Sequence, residues 1–235
     1  MLSRPVLRHI AEAVTHQVNH EFSAEWGNKV SIRVGTSMDD VRDGEWVYGF
    51  EATLPGAPSS SAFHDIHKHG IPYALCGVTT CRSLYGPHGI SVDASHEILE
   101  TAGDEGANQY AYDNKRSLHA MEMCDAVEVQ TYPKTCRDGT IVHVSNWLLP
   151  SWFIPRAIGP YDYMTKMKIK GAAAPPGPLR TAPGRGGNYQ IVGGFHGSRQ
   201  ETAILLRIAG TRRKGKHPHW SSRTARRLAR WPKPG

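Results

Sequence analysis

The chain has 235 residues, 39% hydrophobic and 21% charged, enough for one well-packed core or one domain with a tail. It holds no apolar run of membrane-spanning length, and the first 14 residues show neither a continuous apolar stretch nor a small-residue cleavage site, so no secretory signal is expected. The formal net charge of +7 belongs to one end: residues 212–235 hold nine of the 28 Lys and Arg and no Asp or Glu, leaving 19 basic against 21 acidic groups elsewhere, a balance of −2.

Residues 5–22 read as an amphipathic helix. Val6, Ile10, Val14, Val18 and Phe22 recur four apart, Leu7 and Ala13 widen the stripe, and Pro5 suits the first turn. Residues 28–35 read as a strand on the alternation of Val30, Ile32 and Val34. A second strand is expected over 45–53, with Trp46, Tyr48 and Phe50 on one face, and a third over 72–80. Between them, the Pro, Gly and Ser of 54–61 mark a loop. A turn at 86–89 precedes a short helix over 93–102, with Asp93 as N-cap and Gly103 as its stop. Residues 121–134 read as extended and 140–149 as a strand, with the hairpin signal Asp138-Gly139 between them.

Composition changes after Tyr163. Residues 171–187 are Gly, Ala and Pro in bulk, which marks a linker. Residues 190–194 and 202–209 are candidates for two short elements. The expected organisation is a domain over 1–165, a Gly/Pro-rich linker over 166–189, a short accessory segment over 190–211 and a basic tail over 212–235. In that tail Arg212, Arg213, Lys214, Lys216, Arg223, Arg226, Arg227 and Arg230 are placed to neutralise phosphates or meet an acidic partner. A tail that only aids solubility is the competing reading.

The four cysteines, Cys76, Cys81, Cys124 and Cys136, contain no Cys-x-x-Cys pair, which argues against a zinc ribbon. Reduced and mostly buried thiols are expected, with a strained Cys76–Cys81 disulfide as the alternative. Cys124 stands between Glu122 and Asp125, whose charge disfavours a thiolate, and a cysteine hydrolase is rejected. Trp147, Trp152 and Phe153 around Pro150 read as core packing or a docking surface.

The chemistry concentrates in His96-Glu97-Ile98-Leu99-Glu100. On a helix His96 and Glu100 share a face and Glu97 lies one step round. A divalent ion held by His96 and Glu100, with Glu97 as general base toward water, follows the logic of His-Glu-x-x-His. Glu100 replaces the second His, which hardens the site and brings calcium or manganese within reach beside zinc. Asp104, Glu122 and Asp125 are the further carboxylates expected to complete or support it. His64, His67 and His69 form a second His-rich run, read mainly as solvated, although His64-x-x-His67 at helical spacing is a possible metal pair.

The run Ser95-His96-Glu97 with Glu100 and Asp104, followed by Glu122 and Cys124-Asp125, resembles a group of metallopeptidase-like proteins encoded by tailed bacteriophages and prophages. His64-Asp65, Pro72-Tyr73, and Val144-Ser145-Asn146-Trp147 with Pro150, Trp152 and Phe153 are similar to that group too. The resemblance covers about residues 60–155 and leaves out the tail. It implies an α+β, zincin-like fold, a mixed sheet plus motif helix, with a metal near His96, and it gives His64 a place as a ligand or substrate contact. Two functions are expected from different classes. One is a metal-binding, metallopeptidase-like hydrolase, holding one divalent ion, zinc first and calcium second, and acting on peptide. The other is a structural component of a virion that keeps the fold, its tail contacting neighbouring subunits or DNA. Host cytoplasm or virion is the expected location, with no membrane partner.

Overall fold

A computed structural model describes residues 2–55, 61–67, 70–112, 117–154 and 157–165, and the strands at 188–196 and 199–207. The chain is α+β, with helices beside parallel and antiparallel strand pairs. It divides into two compact units, one of residues 1–107 and 130–145, the other of residues 108–129 and 146–235. Among the described residues no helix is long and apolar enough to cross a membrane.

The first unit opens on helix α1, Arg4–Gln17, with Pro5 in its first turn. It runs through a π-helical turn, Val18–Phe22, into α2, Ser23–Trp26, and stops at the left-handed Gly27 (φ +85°). The buried stripe Ile10, Val14, Val18 and Phe22 is the expected one. Residues spaced four apart drift about 40° per step round an ideal helix. The π-turn inserts its extra residue where that drift has accumulated, and Phe22 stays fully buried.

Residues 28–35 do not form a strand. Burial alternates along Val30, Ile32 and Val34 as expected, but the backbone at Val30 is held by a side chain. Asn19 donates from Nδ2 to the Val30 carbonyl and accepts the Val30 N–H at Oδ1, both at 2.8 Å. A period-two pattern reports which side faces in, and is silent on whether a neighbouring strand exists.

Strands β1, Val47–Glu51, β2, Ala62–Ile66, and β3, Pro72–Gly77, form a three-stranded mixed sheet in the order β1-β3-β2. Strand β3 runs parallel to β1 and antiparallel to β2. The turn between β2 and β3 closes with His67 N–H on the Ile71 carbonyl at 2.8 Å, and Gly70 supplies the positive φ of +83° that it needs. The residues after β3 leave the sheet as a 3-10 turn, Val78–Thr80, so the third expected strand ends three residues early.

Helix α3, Ile90–Gly103, carries the motif. Its N-cap is Gly89, and Asp93 lies inside the first turn, which corrects the expected cap. Asp104 takes the C-cap position, and Asn28 Nδ2 caps the other side of that end by donating to the Ala102 carbonyl at 2.5 Å. The helix packs against β2, β3, α1 and β7, Ile141–Ser145, and most of its residues are buried. Strand β7 pairs antiparallel with β6, Thr131–Thr135, across a hairpin whose Gly139 has φ +87°.

In the second unit, residues 121–129 turn repeatedly instead of extending, with a 3-10 turn at Asp125–Val127. Helix α4, Pro150–Phe153, begins at its proline. Trp147 is fully buried and stacks on Tyr163 with ring centroids 5.0 Å apart, and Trp152 and Phe153 are buried as well, the packing role expected of that cluster. A four-stranded sheet follows the order β4-β5-β8-β9, built from β4, Tyr110–Tyr112, β5, Ser117–Ala120, β8, Asn188–His196, and β9, Arg199–Arg207. The two candidate short elements near 190 and 205 are thus strands paired with each other. The linker between them and Thr165, and the basic residues of 212–235, lie outside the described residues.

Candidate metal centre

Two elements of the first unit deliver the candidate site. Helix α3 presents His96, Glu97 and Glu100, and β2 presents His64 from the sheet beneath it. His64 Nδ1 lies 2.9 Å from Glu97 Oε2 and 3.2 Å from Glu100 Oε2. On the other oxygen of the same carboxylate, Glu100 Oε1 lies 3.2 Å from His96 Nε2. Glu100 is therefore gripped between two imidazoles, one from its own helix and one from the sheet. Ligating atoms of His96, Glu97 and Glu100 all fall within 4.8 Å of one another, close enough to bind one cation.

Burial sharpens the electrostatics. The Glu100 side chain is 0% exposed, Glu97 4%, His64 2% and His96 12%. Two carboxylates this close repel each other, and removing them from water is expensive unless positive charge comes with them. A divalent cation supplies such charge without using a proton. The small exposure of His96 leaves a side from which an ion can enter.

The fold places the remaining predicted residues as follows. Asp104, fully buried, is the C-cap of α3 and is not among the described residues of the first unit whose ligating atoms converge. Glu122 and Asp125 belong to the second unit and are both buried. The segment carrying them is not the extended one expected: it turns repeatedly, with a 3-10 turn at Asp125–Val127. His64-x-x-His67 lies on a strand and its end, not a helix: His64 is buried and His67 exposed. Residues three apart on a strand point to opposite faces. The solvated reading fails for His64 and holds for His67, while His69 is outside the described residues. The signal that could have found His64 is its place in a short alternating run, Ala62–Ile66, ending at a turn before the next strand.

A groove of about 840 Å3 on the same unit is lined by Arg4, Arg8, Glu12, His16, Lys134 and Arg137 among others, and by none of the four cluster residues. The cluster lies beside α3 and is not part of that groove.

All four cysteines are reduced. Among the described residues Cys76, Cys81 and Asp93 form a second group whose ligating atoms lie within 4.8 Å of one another. Comparison of the chain with protein-family models, with curated proteins and with solved structures finds no match.

Proposed function

We propose that the first unit is a zincin-like, metallopeptidase-like domain in which His96 and Glu100 hold a divalent cation and Glu97 acts as general base. The observation that carries this reading is the convergence of the largely buried His96, Glu97 and Glu100 beside His64. The chain order of helix, strands and motif helix, and the mixed sheet beneath α3, agree with it.

An imidazole and a carboxylate suit zinc, with calcium the harder-ligand alternative. Such an ion would polarise a substrate carbonyl and lower the pKa of water. His64, hydrogen-bonded to Glu97 and 3.2 Å from a Glu100 oxygen, is a positioning residue: it faces the Glu100 oxygen turned away from His96 and orients Glu97. Partners of this kind set ligand orientation and tune basicity. The reaction class is metal-assisted hydrolysis of peptide bonds.

The test is elemental analysis of the purified protein beside a His96→Ala, Glu100→Ala double variant. Loss of one equivalent of zinc in the variant, with an unchanged circular dichroism spectrum, supports the reading. A wild type with no metal to lose, and a variant equally well folded, contradicts it and favours a virion component that keeps only the fold. Glu97→Gln should retain the metal and lose peptide hydrolysis; full activity in that variant removes Glu97 as base.

A further inference from the structure

The first unit holds a second convergence of donors, one helical turn before the motif. Cys76 is the next-to-last residue of β3 and is fully buried. The 3-10 turn after that strand folds the chain back, with Cys81 N–H on the Val78 carbonyl at 3.4 Å, and returns a second thiol five residues later. Asp93, in the first turn of α3, faces that thiol: Cys81 Sγ lies 3.1 Å from Asp93 Oδ2 and 3.6 Å from the Gly77 carbonyl. The three donors come from a strand end, a turn and a helix start, so one ion bound to them would tie all three elements together.

We propose that Cys76, Cys81 and Asp93 form a thiolate site for a soft d10 cation, zinc or its analogue cadmium, separate from the His96 centre. Two sulfur donors select such ions over calcium or magnesium, whereas the imidazole and carboxylates of the other cluster do not. Three protein ligands leave the fourth tetrahedral position to solvent on the half-buried side of Cys81 and Asp93. Binding is an exchange: the cation forms two metal–sulfur bonds, the two thiol protons leave to the buffer, and no electron is transferred.

The surroundings agree. The hydrogen bond with Cys81 and its own burial push the Cys76 thiol far up. Burial raises the Asp93 carboxyl. Burial, followed by the charges of Cys76, Glu97 and Asp93, holds the Tyr48 phenol well above its usual range. Anion-forming groups thus crowd one place, and a bound cation reverses the sign of that field.

The assay is cadmium titration of the full chain, read by the ultraviolet thiolate-to-cadmium charge-transfer band and by protons released. The expected result is one equivalent that develops the band and releases about two protons per ion. Cys81→Ser should weaken that binding by about tenfold or more, because a hydroxyl replaces a thiolate donor, and Cys76→Ser/Cys81→Ser should remove the band. His96→Ala/Glu100→Ala should keep the band, which separates this site from the other centre. Cys81→Ser changes the less buried thiol, so its titration reads the site even if the double variant does not fold. No band in the wild type, a band unchanged in folded Cys81→Ser, or a band lost in folded His96→Ala/Glu100→Ala would each overturn the proposal.

Discussion

Helix α3 carries two buried polar clusters of opposite character. On one side Ser95 meets Gln17 of α1 and Ser145 of β7. Ser95 Oγ donates to Gln17 Oε1 at 2.9 Å and accepts the Ser145 N–H at 2.8 Å, while Gln17 Nε2 donates to the Ser145 carbonyl at 2.8 Å and to the Tyr132 hydroxyl at 3.0 Å. Every group in that set is neutral, and Gln17 uses its carbonyl and its amide nitrogen together. On the other side Glu97, Glu100, His64 and His96 are ionisable, and their mutual distances suit a cation as well as a proton. Neutral donors and acceptors matched one to one specify how three elements pack. Paired buried carboxylates do that poorly, since their desolvation costs about as much as their ion pairing returns. The first cluster has the character of a structural joint, and the second that of a binding site.

Substitution should separate the two. The largest effect on stability is expected at the joint. Ser95→Ala strands the Ser145 N–H and the Gln17 carbonyl, at about 1–3 kcal/mol for each buried group left unsatisfied. Chemical denaturation should therefore show a loss of about 3 kcal/mol, with zinc content unchanged in the folded protein. Glu100→Gln should do the reverse. It relieves the repulsion between Glu97 and Glu100, so the metal-free melting temperature does not fall, while the rise in that temperature on adding zinc is lost when both are read in a Cys81→Ser background, where the thiolate site contributes little. In that background, a Glu100→Gln protein that melts lower without metal and still responds to zinc would erase the distinction drawn between the clusters.

A smaller effect is expected at His64. His64→Asn should weaken zinc binding by about 10–100-fold without changing the stoichiometry, as loss of an orienting partner does elsewhere. Competition with a calibrated chelator measures it, and a lost equivalent would make His64 a ligand instead.

The smallest effect concerns a surface contact at the β6–β7 hairpin. Backbone and side-chain hydrogen bonds with Thr140, then His9, lower the Asp138 carboxyl to about 2. A carboxyl depressed in the folded state contributes stability above its unfolded value, and that contribution disappears as pH falls through the folded value. The stability gap between wild type and Asp138→Asn should thus be present at neutral pH and close as pH drops from about 4 to about 2. A gap that is flat over this range would remove the contact from the account.

The sequence shows the two helices of this comparison more clearly than the partners they meet. The α1 stripe is legible because Ile10, Val14, Val18 and Phe22 all face the core. Helix α3 is legible because the motif gives it a chemical reason to exist, although its start at Ile90 is hidden: Gly89 caps it with no side-chain hydrogen bond. His64 is the main residue of the site whose burial the residues alone do not show. It stands 33 positions before Glu97, on a strand that follows a Pro- and Ser-rich stretch, and only the pairing of β2 with β3 brings it under α3. Residues 28–35 fail in the opposite way: their pattern is right, and a side chain, Asn19, holds the Val30 backbone. Cys76, Cys81 and Asp93 are visible individually, but the 3-10 turn that joins them has no apolar period to betray it.

The most direct test of the central claim is anomalous diffraction at the zinc edge from crystals of the zinc-loaded chain. The account predicts a peak bounded by His96 Nε2 and a Glu100 oxygen, with Glu97 beside it. Zinc-loaded crystals whose anomalous map shows nothing at that position would contradict it.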